Sequence, residues 1–471
     1  MKLSSRVAYN TIIQIIGKII STLLGLAAIA VMARYLRQAG FGQYTTIFTF
    51  LSFFAVMADF GLTLITSQMI SRPEADQQNL LNNLFSLRLV SAVIFLLLAP
   101  LLVLFFPYPP IIKLGVALAS LSFFFTALNQ ILVGWFQTNL IMAIVAAAEV
   151  VSRIILLGGI ILIAHFNLGL FSIIIATVIA SALSFIMHFW FSRRYIKITW
   201  QIDLAVWRAI IKKSWPLGVT IFLNLIYLRA DILLLSLLKS QGEVGIYGAT
   251  YKVIDVLTSL PFMFAGLILP ILTASWASGR PEQFNKILQH SFDAMLILAL
   301  PLIVGVQLTA RPLMTLVAGE NFVAAGAVLK ILILAIGFIF AGCLISHAVI
   351  ALDKQKNTIG AYIFTAVTAL IGYLIFIPQY SYYGAAWVTV YSEFAIAAFS
   401  LYIVIKYSGF RPDLSIFVKS LAASLVMGLG VYLLMGKINL VFIILLAGLI
   451  YLISLFLFKG ISQADLKGLL N

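Results

Sequence analysis

The chain has 471 residues, of which 63% are hydrophobic and only 10% are charged. Because a soluble domain has about a quarter of its residues charged, this composition excludes a soluble protein and indicates that lipid solvates much of the surface. The formal net charge of +15 then indicates loop cations that set orientation and contact membrane lipids, and no nucleic-acid partner is expected.

The predicted elements are apolar helices that follow one another almost without a break. A spanning helix needs roughly 20 apolar residues, and about fourteen runs meet this requirement. The first run is too long for a signal peptide and is interpreted as an uncleaved span. The predicted fold class is therefore an all-α polytopic membrane protein. Its predicted spans are 10–33, 44–70, 83–106, 112–135, 140–164, 170–191, 215–238, 247–275, 290–309, 325–350, 358–378, 384–405, 415–435 and 440–458.

The most polar stretch of the chain, 192–214, divides it near the middle and is predicted to be a cytoplasmic basic connector. With a cytoplasmic N-terminus, most Lys and Arg residues of the loops lie on that side, and an even span count places the C-terminus there too. We therefore expect a multi-pass protein of the cell (cytoplasmic or inner) membrane. The predicted domains are an N-lobe (1–191), the connector, a C-lobe (215–405) and a final helix pair with the C-terminus (406–471).

An internal repeat supports the two lobes. The sequence at 37–44, RQAGFGQY, matches SQGEVGIY at 240–247, and a second match follows one long helix later, between 71–74 and 279–282. The copies lie six spans apart and so share one orientation. Parallel repeats are a recognised plan for transporters, with the substrate site between the halves. The alternative, chance recurrence of short loop motifs, is less favoured because the matches keep their order and topology.

Charged residues inside the spans are the candidate site, because a charge at mid-membrane depth is costly and usually faces a bundle interior or a wet cavity. In the first span, Asn10, Gln14 and Lys18 share one helix face, which predicts a cavity lining. Arginine suits an anion because its planar fork binds phosphate bidentately. The five cations within the spans are Lys18, Arg88, Arg153, Arg229 and Lys252.

The five cations differ in their local surroundings. Lys18, Arg88 and Arg229 have no acidic residue three or four positions away and are the better candidates to hold an anion. Arg153 follows Glu149 by four positions, and Lys252 precedes Asp255 by three, so an intrahelical ion pair is as plausible for each as a functional role. The acidic residues within the spans are candidates for coupling H⁺ or Na⁺ or for binding sugar hydroxyls: Asp59, Glu149, Asp231, Asp255 and Glu393.

Features of catalysis are missing from the sequence. No predicted loop is long enough for a catalytic domain, and neither a nucleotide-binding P-loop nor a metal-ligand spacing occurs. Cys343 is the only cysteine and is interpreted as a core residue. We therefore expect a protein that is not an enzyme, has no cofactor and no metal site, and is driven by an ion gradient, the membrane potential or removal of product.

Four motifs stand out in the sequence: ARYLRQAGFGQY at 33–44, DFGL at 59–62, the loop at 318–322 and the turn at 378–386. They resemble motifs of polysaccharide biosynthesis proteins, which are lipid-linked oligosaccharide flippases of the multidrug/oligosaccharidyl-lipid/polysaccharide (MOP) exporter superfamily. The stretch 33–44, ARYLRQAGFGQY, resembles the family signature, and Asp59 begins a DFGL segment similar to the family's own. The loop 318–322 and the turn 378–386 resemble two further motifs. Two departures occur, since Arg37 replaces the usual Gly and Ala318 the usual Phe.

The resemblance implies two pseudo-symmetric six-helix lobes that form a V around a central cavity and alternate between inward- and outward-facing states. It implies a polyprenyl-(di)phosphate oligosaccharide as substrate, carried from the cytoplasmic to the outer leaflet, with glycan-assembly proteins as possible partners. Similarity to lipid II flippases gives the last two helices a role as a groove for the lipid tail. An accessory packing pair is an equal alternative.

Two other function classes stay open. An exporter of cationic drugs belongs to the same superfamily, but the excess of cations over unpaired acids in the spans argues against it. A membrane enzyme such as a glycan polymerase or acyltransferase has similar hydropathy, but the longest outer loop, about 310–325, holds only Arg311 and Glu320 as charges. A structural scaffold is the least favoured, because its buried charges would be costly without a purpose.

Overall fold

The structure, a computed structural model, describes residues 3–63, 69 and 76–460. For residues 3–9, 11, 216, 217 and 220 it describes the backbone alone. No strand occurs in these ranges. Twelve α-helices have both ends within them. They are α1 (Leu3–Asp59), α2 (Gln77–Leu102), α3 (Pro110–Thr138), α4 (Met142–Phe166), α5 (Gly169–Ser192), α6 (Leu204–Leu238), α7 (Gln241–Ala277), α8 (Pro281–Ala318), α9 (Ala325–Ala351), α10 (Ile359–Ser408), α11 (Ser415–Leu434) and α12 (Leu440–Leu457).

Two of these helices are each a pair of spans joined at a kink. Helix α1 has 57 residues and a non-helical Arg37 (φ 54°), and α10 has 50 residues and a non-helical Ser381 (φ 52°). At 1.5 Å per residue they measure about 85 and 75 Å, more than twice the ~30 Å hydrocarbon core. The described ranges contain twelve helices long and apolar enough to cross a membrane. Counting the two kinked helices twice gives the predicted number of spans and confirms the fold class.

Some predictions fall on parts of the chain that the structure does not describe. Residues 64–68 and 70 of the predicted second span and the repeat element at 71–74 lie outside the described residues, as does the C-terminus from 461. The predicted lobe boundaries stay a prediction.

Contacts between Cα atoms divide the chain into two compact units, Met1–Gly248 and Ala249–Asn471. In the first unit, α1 packs against α2, α3, α4 and α6, and α3 packs against α5. In the second, α9 lies between α8 and α10, and α11 packs on α8 and α12. The most apolar stretch of α9 is 61% buried, the highest value among the twelve spans. Helix α9 is therefore the central helix of that unit. Cys343 lies on α9 and is buried, as predicted.

The basic connector is held in place by the first turns of α2. Residues 196–203 form no helix, and α6 begins at Leu204, where the Asp203 carboxylate accepts hydrogen bonds from the N–H groups of residues 205 and 206. Alternate backbone N–H groups of the connector donate to side-chain oxygens of α2. The pairs are Lys197 with Gln78 (3.4 Å), Thr199 with Asn82 (3.1 Å), Gln201 with Ser86 (3.0 Å) and Asp203 with Asn83 (2.8 Å). The polar sequence QQNLLNN at the start of α2 is thus a clamp.

Within the first unit, the two copies of the repeat contact each other reciprocally. A Cβ added to Gly42 would lie 1.7 Å from the Gln241 carbonyl oxygen, and one added to Gly245 would lie 1.9 Å from that of Gln38. Gln38 and Gln241 occupy equivalent positions in the two copies, as do the two glycines. The glycine of each copy therefore contacts the glutamine of the other copy. Such a reciprocal contact is typical of two segments related by a two-fold axis. The glycines are needed here because only they permit this approach of two backbones.

Candidate functional site

The polar face of α1 lies against α4, and the two helices run parallel in a fixed register. The Asn10 Oδ1 accepts a hydrogen bond from the Met142 N–H (2.9 Å), and the Ser21 Oγ lies 3.5 Å from the Glu149 Oε2. One turn further along, the position of a Cβ on Gly25 is 4.0 Å from an Arg153 Nη1. The face predicted to line a cavity is therefore partly a helix–helix contact.

Lys18 of α1 and Glu149 and Arg153 of α4 are the charged candidates beside this contact. Both cations are exposed, while Glu149 is half-buried. Among the described residues, no carboxylate oxygen lies within 4 Å of Lys18 or Arg153, so the intrahelical pair of Glu149 with Arg153 does not form. Arg153 interacts electrostatically with Tyr44 of the repeat motif. Two accessible cations against one carboxylate leave excess positive charge within apolar helices, and this arrangement suits an anion.

Arg88 has a different environment, because it is 1% exposed and ion-paired. Its Nη1 lies 2.7 Å from the Asp59 Oδ1, its Nε donates to the Ala127 carbonyl (3.0 Å), and its Nη2 donates to Gln130. Arg88 has no acidic residue three or four positions away, as the sequence shows, and its partner Asp59 comes from a different helix. An arginine buried among these groups holds three helices together.

Asp59 organises the turn that ends α1. Its carboxylate accepts hydrogen bonds from the N–H groups of Gly61 and Thr63, both at 3.2 Å. Phe60 and Gly61 have positive φ angles of 42° and 82°, and a Cβ on Gly218 of α6 would lie 2.8 Å from the Phe60 carbonyl oxygen. The DFGL segment is therefore a tight turn locked between Arg88 and α6.

The remaining charged candidates divide between the two units. In the first, Asp231 is fully buried and accepts hydrogen bonds from the Tyr247 hydroxyl and the Ile232 N–H, both at 2.7 Å. Arg229 is half-buried and interacts with neighbouring groups. In the second unit, Lys252 and Asp255 are also half-buried with interactions of their own.

Glu393 is a buried carboxyl group of the second unit. It lies on the second half of α10 with 7% of its surface exposed. Its Oε1 has no hydrogen-bond partner in the described part of the chain, and neither does the fully buried Thr365 Oγ1 on the first half of α10. Cys343 and Tyr362 lie close enough to interact with the Glu393 charge. Within the described ranges, no group of three or more His, Cys, Asp and Glu side chains could hold a metal ion.

The helix order and the kinked pairs define the class of this protein, a multi-pass all-α membrane protein with the fold of several solved transporters. The "Lipid II flippase MurJ, inward closed conformation" superposes with a TM-score of 0.76 at 19% identity, over 97% of this chain and 99% of that one. A multidrug resistance MATE family transporter of the MOP superfamily, inward-facing, gives 0.68 at 14% identity over 83% and 95%. The MATE multidrug transporter DinF-BH in complex with R6G gives 0.64 at 17% identity over 88% and 97%.

The sequence assigns the family more narrowly than the fold does. The family profile described as "Polysaccharide biosynthesis protein" matches residues 7–276, more than half of the chain. The chain belongs to this family. No curated protein matches it.

Three elements around the site were not predicted from the sequence. The Arg88–Asp59 pair joins residues too far apart in the chain for the helical spacing rule, and the clamp of α2 on the connector depends on amides that carry no charge. The third element is a row of aromatic side chains on α10, Tyr383, Trp387 and Tyr391. Its four-residue spacing was the signal that could have identified a continuous surface.

Proposed function

We propose that this protein is a flippase that carries a polyprenyl-(di)phosphate-linked oligosaccharide from the cytoplasmic to the outer leaflet by alternating access. The observation that carries the proposal is the set of charges beside the α1–α4 contact, Lys18, Glu149 and Arg153, in which two accessible cations outnumber the carboxylate within apolar helices. A phosphate headgroup neutralises this excess, while the isoprenoid chain stays in lipid. Membership of the polysaccharide biosynthesis family supports the same substrate class.

The cations have unequal parts in this proposal. Lys18 and Arg153 bind the headgroup phosphate, since both are exposed, with Arg229 and Lys252 as further contacts in their own units. Arg88 has a structural part, because it is buried and already paired with Asp59.

The carboxylates serve ion coupling or sugar recognition. Glu393 is the first candidate for coupling H⁺ or Na⁺, because it is buried with an oxygen that has no partner in the described part of the chain. Glu149 and Asp255 are candidates for sugar hydroxyls, since both are half-buried. Asp231 and Asp59 already accept several hydrogen bonds, so their role is mainly structural.

The test is complementation of a flippase-null strain combined with flipping of a fluorescent lipid-linked oligosaccharide in liposomes. A charge-assisted hydrogen bond contributes about 1.5–3 kcal/mol, so Lys18→Ala and Arg153→Ala should each lower the flipping rate about tenfold or more. Lys18→Arg should retain activity. Lys437→Ala and Arg411→Ala remove exposed loop cations and serve as matched controls.

Normal export by the Lys18→Ala/Arg153→Ala double variant would refute the headgroup assignment. Drug resistance on overexpression, without flipping of any lipid-linked glycan, would instead assign the chain to the exporters of cationic compounds.

A further inference from the structure

The two halves of α10, on either side of Ser381, form an antiparallel hairpin with close backbone contacts. A Cβ on Gly372 would lie 3.0 Å from the Val388 Cγ2, and one on Gly384 would lie 2.4 Å from the Phe376 carbonyl oxygen. Further from the kink, the Tyr391 hydroxyl donates to the Thr368 Oγ1 (3.0 Å). The halves therefore stay together along their length.

Two cavities open along this hairpin. One, of about 450 Å³, is lined by residues that include Gly360, Phe364, Phe399 and Lys406. The other, of about 660 Å³, is lined by residues that include Thr368, Phe376, Tyr380, Tyr383, Trp387 and Tyr391. Both lie within the second unit.

The cavities are successive parts of one groove. The lining positions on the first half of α10 include 360, 364, 368, 372, 376 and 380, each four residues after the last, and such a row forms a continuous ridge that runs obliquely along the helix. Only one helical turn, from Phe364 to Thr368, separates the two cavities. From position 360 to 380 the row measures about 30 Å, the thickness of the hydrocarbon core.

The walls of the groove are aromatic and open to the surroundings of the helix. Tyr380, Trp387 and Tyr402 are 58%, 54% and 63% exposed, and Phe364 meets Phe399 edge to face with 5.7 Å between the ring centroids. On a membrane-spanning hairpin these surfaces contact hydrocarbon, so the groove offers a long chain an apolar track.

One end of the groove is cationic. The Lys354 Nζ lies 4.8 Å and the Lys406 Nζ 5.7 Å from the centroid of the Tyr407 ring. In the part of the chain that the structure describes, no carboxylate oxygen lies within 4 Å of either ammonium. The Asp353 carboxylate accepts a hydrogen bond from Gln355 instead (3.2 Å). Two like charges beside one ring repel each other, and an anion between them relieves this repulsion.

Hydrogen-bond donors lie beside the two ammonium groups. The Asn357 Nδ2 donates to the Tyr407 hydroxyl (2.8 Å), which leaves the hydroxyl hydrogen available to a further acceptor. Asn357, Tyr402 and Lys406 all line the smaller cavity. A phosphate at this end would meet both charge and hydroxyl donors, directly at the mouth of the apolar track.

We propose that this groove is a loading site for a polyprenyl phosphate, with the phosphate between Lys354 and Lys406 and the isoprenoid chain along the aromatic wall of α10. The inference rests on the proposed function and adds to it a second lipid site, apart from Lys18 and Arg153. Length decides the occupant, because a track of about 30 Å is twice as long as the single leaflet that a phospholipid chain fills. The predicted topology places the cationic end at the cytoplasmic face, where the cargo begins.

The test measures binding of a fluorescent polyprenyl phosphate to the full-length protein in nanodiscs. A cation near a membrane surface contributes about 1 kcal/mol to an anionic lipid, so Lys354→Gln/Lys406→Gln should weaken binding about 30-fold. Gly360→Leu should block the track, because nothing lies within 4 Å of a Cβ at this position and the side chain enters the groove without a clash. Gly448→Leu, at an equally open position on α12, and Lys437→Gln should bind as the wild type does.

Competition distinguishes the possible sources of the phosphate. Unlabelled polyprenyl phosphate should displace the probe, while a dioleoyl anionic phospholipid and inorganic phosphate should not. Displacement by the phospholipid at equal concentration, or unchanged affinity in both groove variants, would overturn the proposal. If the groove variants lose the probe although the wild type flips no lipid-linked oligosaccharide, the proposed function fails and the groove stands. If they bind normally while the wild type flips, the groove alone fails.

Discussion

Replacing Gly42 by alanine tests whether the reciprocal contact between the two repeats holds this conformation together. The added Cβ would lie 1.7 Å from the Gln241 carbonyl oxygen and 3.0 Å from the Gly245 nitrogen. Both neighbours are backbone atoms, so no side-chain rotation can relieve the overlap. The two helices must separate by more than 1 Å to restore an ordinary contact of about 3.4 Å.

The expected cost follows from this geometry. Overpacking of a well-packed site costs about 1–3 kcal/mol and occasionally more, and the rigid backbone places Gly42→Ala at or above the upper end of that range. Gly245→Ala should be equally severe, because its Cβ would lie 1.9 Å from the Gln38 carbonyl oxygen. The symmetry of the contact thus predicts two similar losses from residues far apart in the chain.

The assay is the thermal unfolding of each variant in detergent, monitored by light scattering. The flipping activity of each variant is then measured in liposomes. Gly158→Ala and Gly266→Ala are the matched controls, since nothing lies within 4 Å of a Cβ at either position, and alanine should slightly stabilise each helix. A Gly42→Ala protein that melts with its controls would refute the close approach. A large loss at Gly42 with none at Gly245 would refute the reciprocal relation.

Three further predictions concern other parts of the structure. Arg37 has φ 54° and ψ −172°, a backbone conformation almost confined to glycine that costs other residues about 1–3 kcal/mol. Arg37→Gly should therefore raise the melting temperature, while Ala30→Gly, in a regular turn of α1, should lower it. Equal losses of stability in both variants would contradict backbone strain at Arg37. Removing one member of a buried ion pair costs about 3–5 kcal/mol, so Arg88→Met should destabilise the protein strongly, and the double variant Arg88→Met/Asp59→Leu should destabilise it less. Chemical denaturation of both variants measures this coupling between the two residues, and strictly additive losses of stability would disprove it. Burial raises the pKa of Tyr108, which is hydrogen-bonded to the Ser236 Oγ, to about 12. The unfolded state therefore loses this proton first, and the stability of the protein should fall as the pH rises from about 10 towards 12. If the melting temperature of Tyr108→Phe falls with pH as steeply as that of the wild type, the reasoning is refuted.

The fold could be predicted closely because membrane thickness sets the length of every apolar run. The kinks illustrate how far the prediction reached. The breaks after residues 33 and 378 separated spans that the structure joins at Arg37 and Ser381. The family resemblance had already identified Arg37 as a departure from glycine. Its positive φ now gives that departure a physical meaning, since the position requires a conformation that only glycine adopts without strain.

The candidate site could be predicted only in part. Spacing along one helix identifies partners three or four residues away, so the sequence treated Arg88 and Lys18 as equally unpaired. It could not find Asp59, which reaches Arg88 from another helix. It also expected Glu149 and Arg153 to pair as readily as not, whereas Arg153 extends towards Gly25 on α1. Pairings of this kind depend on the rotation and register of packed helices, which hydropathy does not encode.

Burial separates the two kinds of cation that the sequence grouped together. A buried charge must be compensated permanently, because the cost of leaving it unpaired falls on the folded state itself, and Arg88, at 1% exposure, has a carboxylate at 2.7 Å. Lys18 and Arg153 are exposed and lack such a carboxylate among the described residues. Their counter-charge can therefore arrive with a ligand and leave with it. A transported anion requires this second arrangement, since a site already neutralised by the protein would have no charge left to attract its cargo.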